Sequence, residues 1–179
     1  MEKTTMQEPQ DTPAVKDANL EMLLLDELKE MYGAEQHQLL VLPIMKKAAS
    51  SLKLQSVLAG HIDCTRDHAE RLEQVFEKMG QRVEEKRCEA ILGIARECET
   101  AIAATEKGTA TRDASLILAV QKLEHYEIGS YGSLAQLART LDFDEIADIL
   151  EMSLLEEKEA DDLLTSLAEN YINLEASKE

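Results

Sequence analysis

Aromatic side chains make up only 3 % of the 179 residues, and chain breakers are as scarce, with seven glycines and three prolines. A core without rings and with few turns must be assembled from Leu, Ile, Ala, Val and Met in long elements, which excludes sandwiches and barrels. Basic residues are also few: 19 Lys and Arg stand against 36 Asp and Glu, a formal charge of −17. No Lys/Arg cluster interrupts that excess, so phosphate backbones and anionic lipid are repelled, and neither nucleic acid nor a membrane surface is an expected partner. Cys64, Cys88 and Cys98 are odd in number and lack zinc-type pair spacing, which suits a reducing compartment better than a disulfide framework. No secretory signal or membrane-length apolar run opens the chain, and the expected location is the cytoplasm.

What is present is 44 % apolar residue, enough over this length for one domain with a single core. Residues 1–18 are polar, aperiodic and hold two prolines, and are read as a flexible tail. The bundle domain is expected over 19–174, with 175–179 as a C-terminal tail. Asn19 is the expected cap of a first helix that contains Pro43 and bends there. Ser50 and Ser51 turn the chain into a second helix that stops at Gly80, the residue type that best takes the left-handed conformation after a helix. A shorter amphipathic helix, CEAILGIARECETAIAA, precedes the loop TEKGTATRD. The third long helix is expected from about Arg112 to Leu141, and the fourth, capped by Asp144, to about Asn170. Two hairpins joined by a long crossover predict an all-α, ferritin-like four-helix bundle with a short fifth helix.

Three- and four-residue steps mark one buried stripe on each long helix. The first carries Leu24, Leu28, Met31, Glu35, Leu39, Leu42, Met45 and Ala49. The second carries Leu54, Leu58, His61, Thr65, His68, Leu72, Val75 and Met79, with Cys64 beside it. Ile117, Val120, Glu124, Glu127, Tyr131, Leu134, Ala138 and Leu141 form the third, and Ile146, Leu150, Ser153, Glu157, Asp161, Leu164, Leu167 and Tyr171 the fourth. Each is interrupted by polar residues near its middle.

Antiparallel helices share a rise of about 1.5 Å per residue, so a turn at Ser50 and Ser51 puts Glu35 level with the stretch between Cys64 and His68. A turn near Asp142 puts Glu127 level with Glu157, and Asp161 about one turn beyond. The interruptions therefore form a layer of Glu35, His61, Cys64, His68, Glu124, Glu127, Glu157 and Asp161. Buried carboxylates in such number need metal, protons or paired donors. One Glu from each of two helices with a carboxylate and a His from the others is the ligand supply of a di-iron or di-manganese site; a metal-free, proton-sharing network is the alternative. Glu156, one residue off the stripe, is expected to matter little. His61 reads equally well as a hydrogen-bonded core histidine, while His37 and His125 lie off the stripes. A Cys64 thiolate at the layer would favour zinc or cuprous copper, although a small buried hydrophobe is the commoner role of a free cysteine.

The stretches LDELKEMYGAEQ, HIDCTRDHAERLEQVF, KRCEA, KLEHYEIGSYGSL and LLEEKEADDLL resemble the YciE/YciF family of ferritin-like stress proteins, from Leu20 to about Asn170. The resemblance implies a bundle related to rubrerythrin, an extra short helix at a homodimer interface around 88–104, and a bacterial stress role. It also implies a glutamate where this chain has Cys64. Three functional classes follow. One is a redox enzyme whose two metals, held by Glu35, Glu127, Glu157 and His68, act on peroxide or oxygen with an unidentified redox partner. Another is a non-catalytic dimeric stress or structural protein with a degenerate, metal-free site. Iron storage or DNA protection ranks last, given the charge.

Overall fold

The computed structural model describes residues 16–179, and they form an all-α bundle. The long helices are α1 (Lys16–Ala48), α2 (Leu52–Lys78), α4 (Ala110–Thr140) and α5 (Asp144–Leu167); α3 (Glu89–Ala104) lies in the crossover. A wide turn, Ala168–Ile172, leads into α6 (Asn173–Ala176). The hairpins α1–α2 and α4–α5 pack against each other through α2 on α5 and α1 on α4, while α3 lies over α4 and α1. No described helix is long and apolar enough to cross a membrane.

The stripes pack as their spacing requires. Leu24, Leu28, Met31, Leu42, Met45, Leu54, Leu58, Leu72, Val75, Ile117, Val120, Leu134, Ile146, Leu150 and Leu164 are all buried. Most of the expected tail lies outside the described residues, but α1 already runs through Asn19, which is therefore not its cap. No glycine or proline separates Lys16 from Asn19, so nothing stops the helix from extending back. Pro43 stays within α1 with its ring exposed. The α1–α2 turn is held from another helix: the buried Asp113 carboxylate of α4 accepts the amide protons of Ser50 and Ser51, both at 2.7 Å.

Three further boundaries differ from the sequence expectation. Helix α4 starts at Ala110 because Thr109 caps it, its hydroxyl oxygen accepting from the Arg112 amide. Glu179, in the expected C-terminal tail, adds a second cap by accepting from the amides of Ala110 (2.6 Å) and Thr111 (2.9 Å). Asp144 is the first residue of α5 rather than its cap; the Arg139 guanidinium draws its carboxylate away at 3.1 Å, and Phe143 takes the cap position. At the end of α5 the wide turn, with i→i+5 bonding, advances the helix phase by one residue. Ile172 is consequently buried where Tyr171 was expected; Tyr171 is exposed, with the Lys53 ammonium 4.3 Å from its ring centre.

Helices α2 and α4 end in the same reverse turn. Gln81 N–H bonds Phe76 carbonyl and Gly80 N–H bonds Glu77 carbonyl; Phe143 and Asp142 repeat the pattern on Ala138 and Arg139. The left-handed residue is Gly80 (φ 65°) in one and Asp142 (φ 59°) in the other. A side chain in that conformation costs about 1 kcal/mol, so Asp142→Gly is expected to stabilise the protein by up to about 1 kcal/mol in a urea melt. A loss of stability would mean that the Asp142 side chain makes a compensating bond.

Candidate metal centre

Each layer residue arrives on a helix that is apolar above and below it, so the polar side chains are held by the core rather than by loops. Glu35, Gln38, His61, His68, Glu124, Glu127 and Glu157 are all buried, with Glu35, Gln38, His68, Glu124 and Glu127 fully so. Two groups of metal-ligating atoms converge. Glu35, His68 and Glu157 form one; His61, Glu124, Glu127 and Glu157 form the other, with ligand atoms in each group within 4.8 Å of one another. Glu157 belongs to both.

His68 Nδ1 lies 2.7 Å from Glu157 Oε1 and 3.5 Å from Glu35 Oε1, and His61 Nε2 lies 3.3 Å from Glu124 Oε1. None of these approaches has hydrogen-bond alignment: His61 Nε2, His68 Nδ1, Glu35 Oε2, Glu127 Oε2 and both oxygens of Glu124 and Glu157 have no hydrogen-bond partner. The remaining oxygens of two layer acids are held by neutral donors: Tyr131 hydroxyl donates to Glu35, and the Gln38 amide to Glu127. Gln38 is absent from the sequence-derived stripe. Three- and four-residue steps run equally well through 35, 38 and 42 as through 35, 39 and 42, and Leu39 was the apolar choice.

Burial dominates the electrostatics of the metal-free layer. It pushes Glu124 and Glu127 well above the ordinary carboxylate range, reinforced by the neighbouring carboxylates, and raises Glu35 against the pull of His68. Burial lowers His61, which stays neutral. His68 is pushed up to about 11: desolvation opposes its charge, but Glu157 and Glu35 outweigh it. Glu157 is depressed despite its own burial, because Glu124 and His68 stabilise its charge. Without metal, therefore, one imidazolium–carboxylate pair, His68 and Glu157, sits among carboxyl groups that burial drives toward their protonated form.

The other face of His68 contradicts the expectation for Glu156. His68 Nε2 lies 2.8 Å from Glu156 Oε2, and Arg71 grips the same carboxylate at 2.5 and 2.7 Å. A residue one step off the stripe lies at the edge of the helix contact, where a glutamate is long enough to reach back in. Cys64 is half-buried and gathers with His68 and Glu156, outside both inner groups; burial raises its thiol, which therefore stays protonated. Asp161 also stands outside both groups, accepting from Gln121 Nε2 at 3.1 Å, with the exposed His125 at 3.5 Å. Outside the layer, the Tyr126 hydroxyl accepts from Cys88 Sγ at 3.1 Å.

Residues 19–177 match the family described as Domain of unknown function (DUF892). The chain belongs to that family. It is 38 % identical over 158 residues to Protein YciF of Escherichia coli K12, covering 88 % of this chain and 95 % of YciF. The crystal structure of the E. coli stress protein YciF superposes with a TM-score of 0.82 over 86 % of this chain and 97 % of that one. YcfI of Rhodopseudomonas palustris, described as a candidate structural protein, has a TM-score of 0.80 at 36 % identity over 87 % of this chain and 98 % of its own. A Xanthomonas campestris protein shares the fold at 19 % identity, with a TM-score of 0.68 over 89 % of this chain and 97 % of its own.

Proposed function

We propose that the buried layer of this YciF-like stress protein holds a pair of divalent cations, iron or manganese. The observation that carries the reading is the set of donor atoms without hydrogen-bond partners on Glu35, His61, His68, Glu124, Glu127 and Glu157, all turned toward one another in the buried interior. Buried polar atoms are ordinarily satisfied, and so many orphans in one place fit ligands better than a hydrogen-bonded network. The charge fits too: four carboxylates (4 × −1) balance two divalent cations (2 × +2). Oxygen donors with two imidazoles suit iron or manganese.

Glu35 and His68 would hold one cation and His61, Glu124 and Glu127 the other, with Glu157 between them. Glu156 would act through His68 by fixing its ring and tautomer from Nε2, with Arg71 fixing Glu156 in turn. An iron pair in such a layer supplies peroxide or oxygen chemistry when bound. The stress role named for the E. coli relative fits that chemistry. Titration with ferrous or manganous ion should find two sites. Glu157→Ala is expected to weaken binding at both by more than 100-fold, and Glu156→Ala by about 10–100-fold with stoichiometry kept. Asp162→Asn, exposed on the same helix, should change nothing. Absence of uptake by the unmodified protein would favour a metal-free structural role; the R. palustris relative is described as a candidate structural protein.

A homodimer through the α3 side is a second proposal. Ile91, Ala95 and Cys98 of α3 face the bundle, and Ile94 and Ile102 pack on its core, so charging either of the last two would damage the protomer itself. Leu92 remains half-buried, lining one depression with Leu40, which is 67 % exposed; Ile44 follows one turn on at 53 %. That patch is the apolar surface a second copy would cover. Leu40→Asp should shift light scattering from dimer to monomer at micromolar concentration, and an unmodified protein that is already monomeric there would overturn the proposal.

A further inference from the structure

A cleft of ≈ 380 Å³ opens between α2 and α5 and reaches down to His61 and Glu124. Its walls are aliphatic: Val57, Leu58, Val120, Ala160, Leu163 and Leu164. Leu163 is 52 % exposed at the mouth, whereas Leu58, Val120 and Leu164 are buried at depth, so an aliphatic strip runs from solvent to core, with Ser56, Glu156 and Glu159 lining the cleft beside it. Gly60 lines the cleft as well, and a Cβ placed there would meet no atom within 4 Å, which shows independently that the space beside α2 is open. The floor is polar. His61 Nε2 and both Glu124 oxygens are buried, unpartnered, and belong to residues that line the cleft.

An aliphatic slot of this size that ends on unpartnered hydrogen-bonding atoms has the chemistry of a ligand pocket: the walls select a hydrocarbon body and the floor selects a head. We propose that the α2–α5 cleft binds a small neutral amphiphile, a hydrocarbon body with a single hydrogen-bonding head, and delivers that head to the His61 and Glu124 end of the layer. A charged head is disfavoured, because the floor is buried and already carries a carboxyl group. Glu156 and Glu159 at the rim likewise disfavour anions. An inorganic ion would gain nothing from the walls, and an apolar molecule would leave the floor atoms as they are, without partners. Gly60 and Ala160 keep the slot open, since any larger residue at either place would occupy it. The aliphatic walls do not depend on cations in the layer, but the floor, His61 and Glu124, is shared with the proposed cation site, so the head docks there on the cation-free layer.

Phenol and toluene differ by the head alone and serve as probes on the full chain washed with chelator. Calorimetric titration is expected to show phenol binding about tenfold more tightly than toluene, the margin of one well-made hydrogen bond in a buried site. Gly60→Met and Ala160→Met should each weaken phenol binding at least tenfold by filling the slot from opposite walls. His61→Leu should remove the preference for phenol while toluene still binds. Helicity and thermal midpoint, measured alongside, confirm that each variant is folded. Equal affinity for the two probes would overturn the role of the floor. Binding unaffected by both methionine variants, or no binding of phenol to the unmodified chain at millimolar concentration, would overturn the pocket. Ferrous or manganous titration of the methionine variants should be unchanged, so failure here is separable from failure of the cation reading.

Discussion

Gly33→Ala is expected to destabilise the protein by about 3 kcal/mol, although alanine is the better helix former. The extended crossover runs across α1 at this residue, and a Cβ on Gly33 would lie 2.1 Å from the Lys86 carbonyl oxygen and 3.1 Å from its carbon. Backbone atoms cannot rotate away as the end of a flexible side chain can. The crossover is also pinned: Lys86 N–H donates to the Lys29 carbonyl at 2.9 Å, and Lys86 Nζ reaches Asp26 and Glu30 at 2.7 and 3.2 Å. Retreat by the ångström or so that a methyl group needs would break that backbone bond. It would also disturb Cys88, which is buried where α3 begins, and Ile91 behind it. Gly129 supplies the control. It is helical and exposed, with no neighbouring atom within 4 Å of the place a methyl group would take, so Gly129→Ala should stabilise by about 1 kcal/mol through helix propensity alone. The opposite signs make the test sharp. If Gly33→Ala also stabilises in urea melts, the crossover is not docked on α1 and the seat of α3 must differ.

The residues that could be read from the sequence are those whose positions follow from helix geometry. Glu35, His68, Glu127 and Glu157 converge because stripe spacing fixes their face and hairpin length fixes their height, and neither depends on side-chain detail. Gln38 was hidden by a fork in the three- and four-residue steps, where an apolar neighbour offered an equally good path. Glu156 was hidden for a different reason: helix periodicity assigns a residue to a face but says nothing of how far a long side chain at the border can reach. Cys64 lies at the right height and the wrong angle, since a one-residue offset turns a side chain by about 100°, whereas Asp161, on the stripe but a turn beyond Glu157, stands past the end of the layer. Boundary errors came from long-range competition. Arg139 withdraws the Asp144 carboxylate from its cap, Asp113 holds a turn about sixty residues away, and the wide turn at Ala168–Ile172 shifts the helix phase with no glycine or proline to announce it. The resemblance to the YciE/YciF family was carried by segments that either pack, such as Tyr131 on Glu35, or dock the crossover, such as Gly33 and Lys86.

Chelator-treated protein is expected to lose stability as pH rises from 5.5 to 7.5, by about 3 kcal/mol for a net difference of one proton between the folded and unfolded chains. The sign follows from which state holds more protons. Glu124 and Glu127, raised well above 4.5 by burial and by neighbouring carboxylates, stay protonated in the folded chain while the unfolded chain has lost those protons. Their stabilisation is complete below 4.5 and disappears as pH climbs through the folded values. Glu35 shifts in the same direction. His68, raised to about 11 from 6.5, also contributes stability that is lost with rising pH, beginning once the unfolded histidine deprotonates. His61 opposes them: lowered by burial, it is neutral in the fold and charged in the unfolded chain below 6.5, so it costs stability as pH falls. Glu157, depressed in the fold, contributes stability present above 4.5 and is silent across this window. Two raised glutamates against one lowered histidine leave at least one extra proton on the folded chain below 6.5, and His68 adds another above it. Cations reverse the trend, because ligands bind them deprotonated and release those protons; the gain in melting temperature from added manganous ion should therefore grow from pH 5.5 to 7.5. A chelated protein whose melting temperature rises with pH over this range would show that the carboxylates are charged and paired without metal. A cation-induced gain that does not grow with pH would place the bound ion somewhere other than this layer.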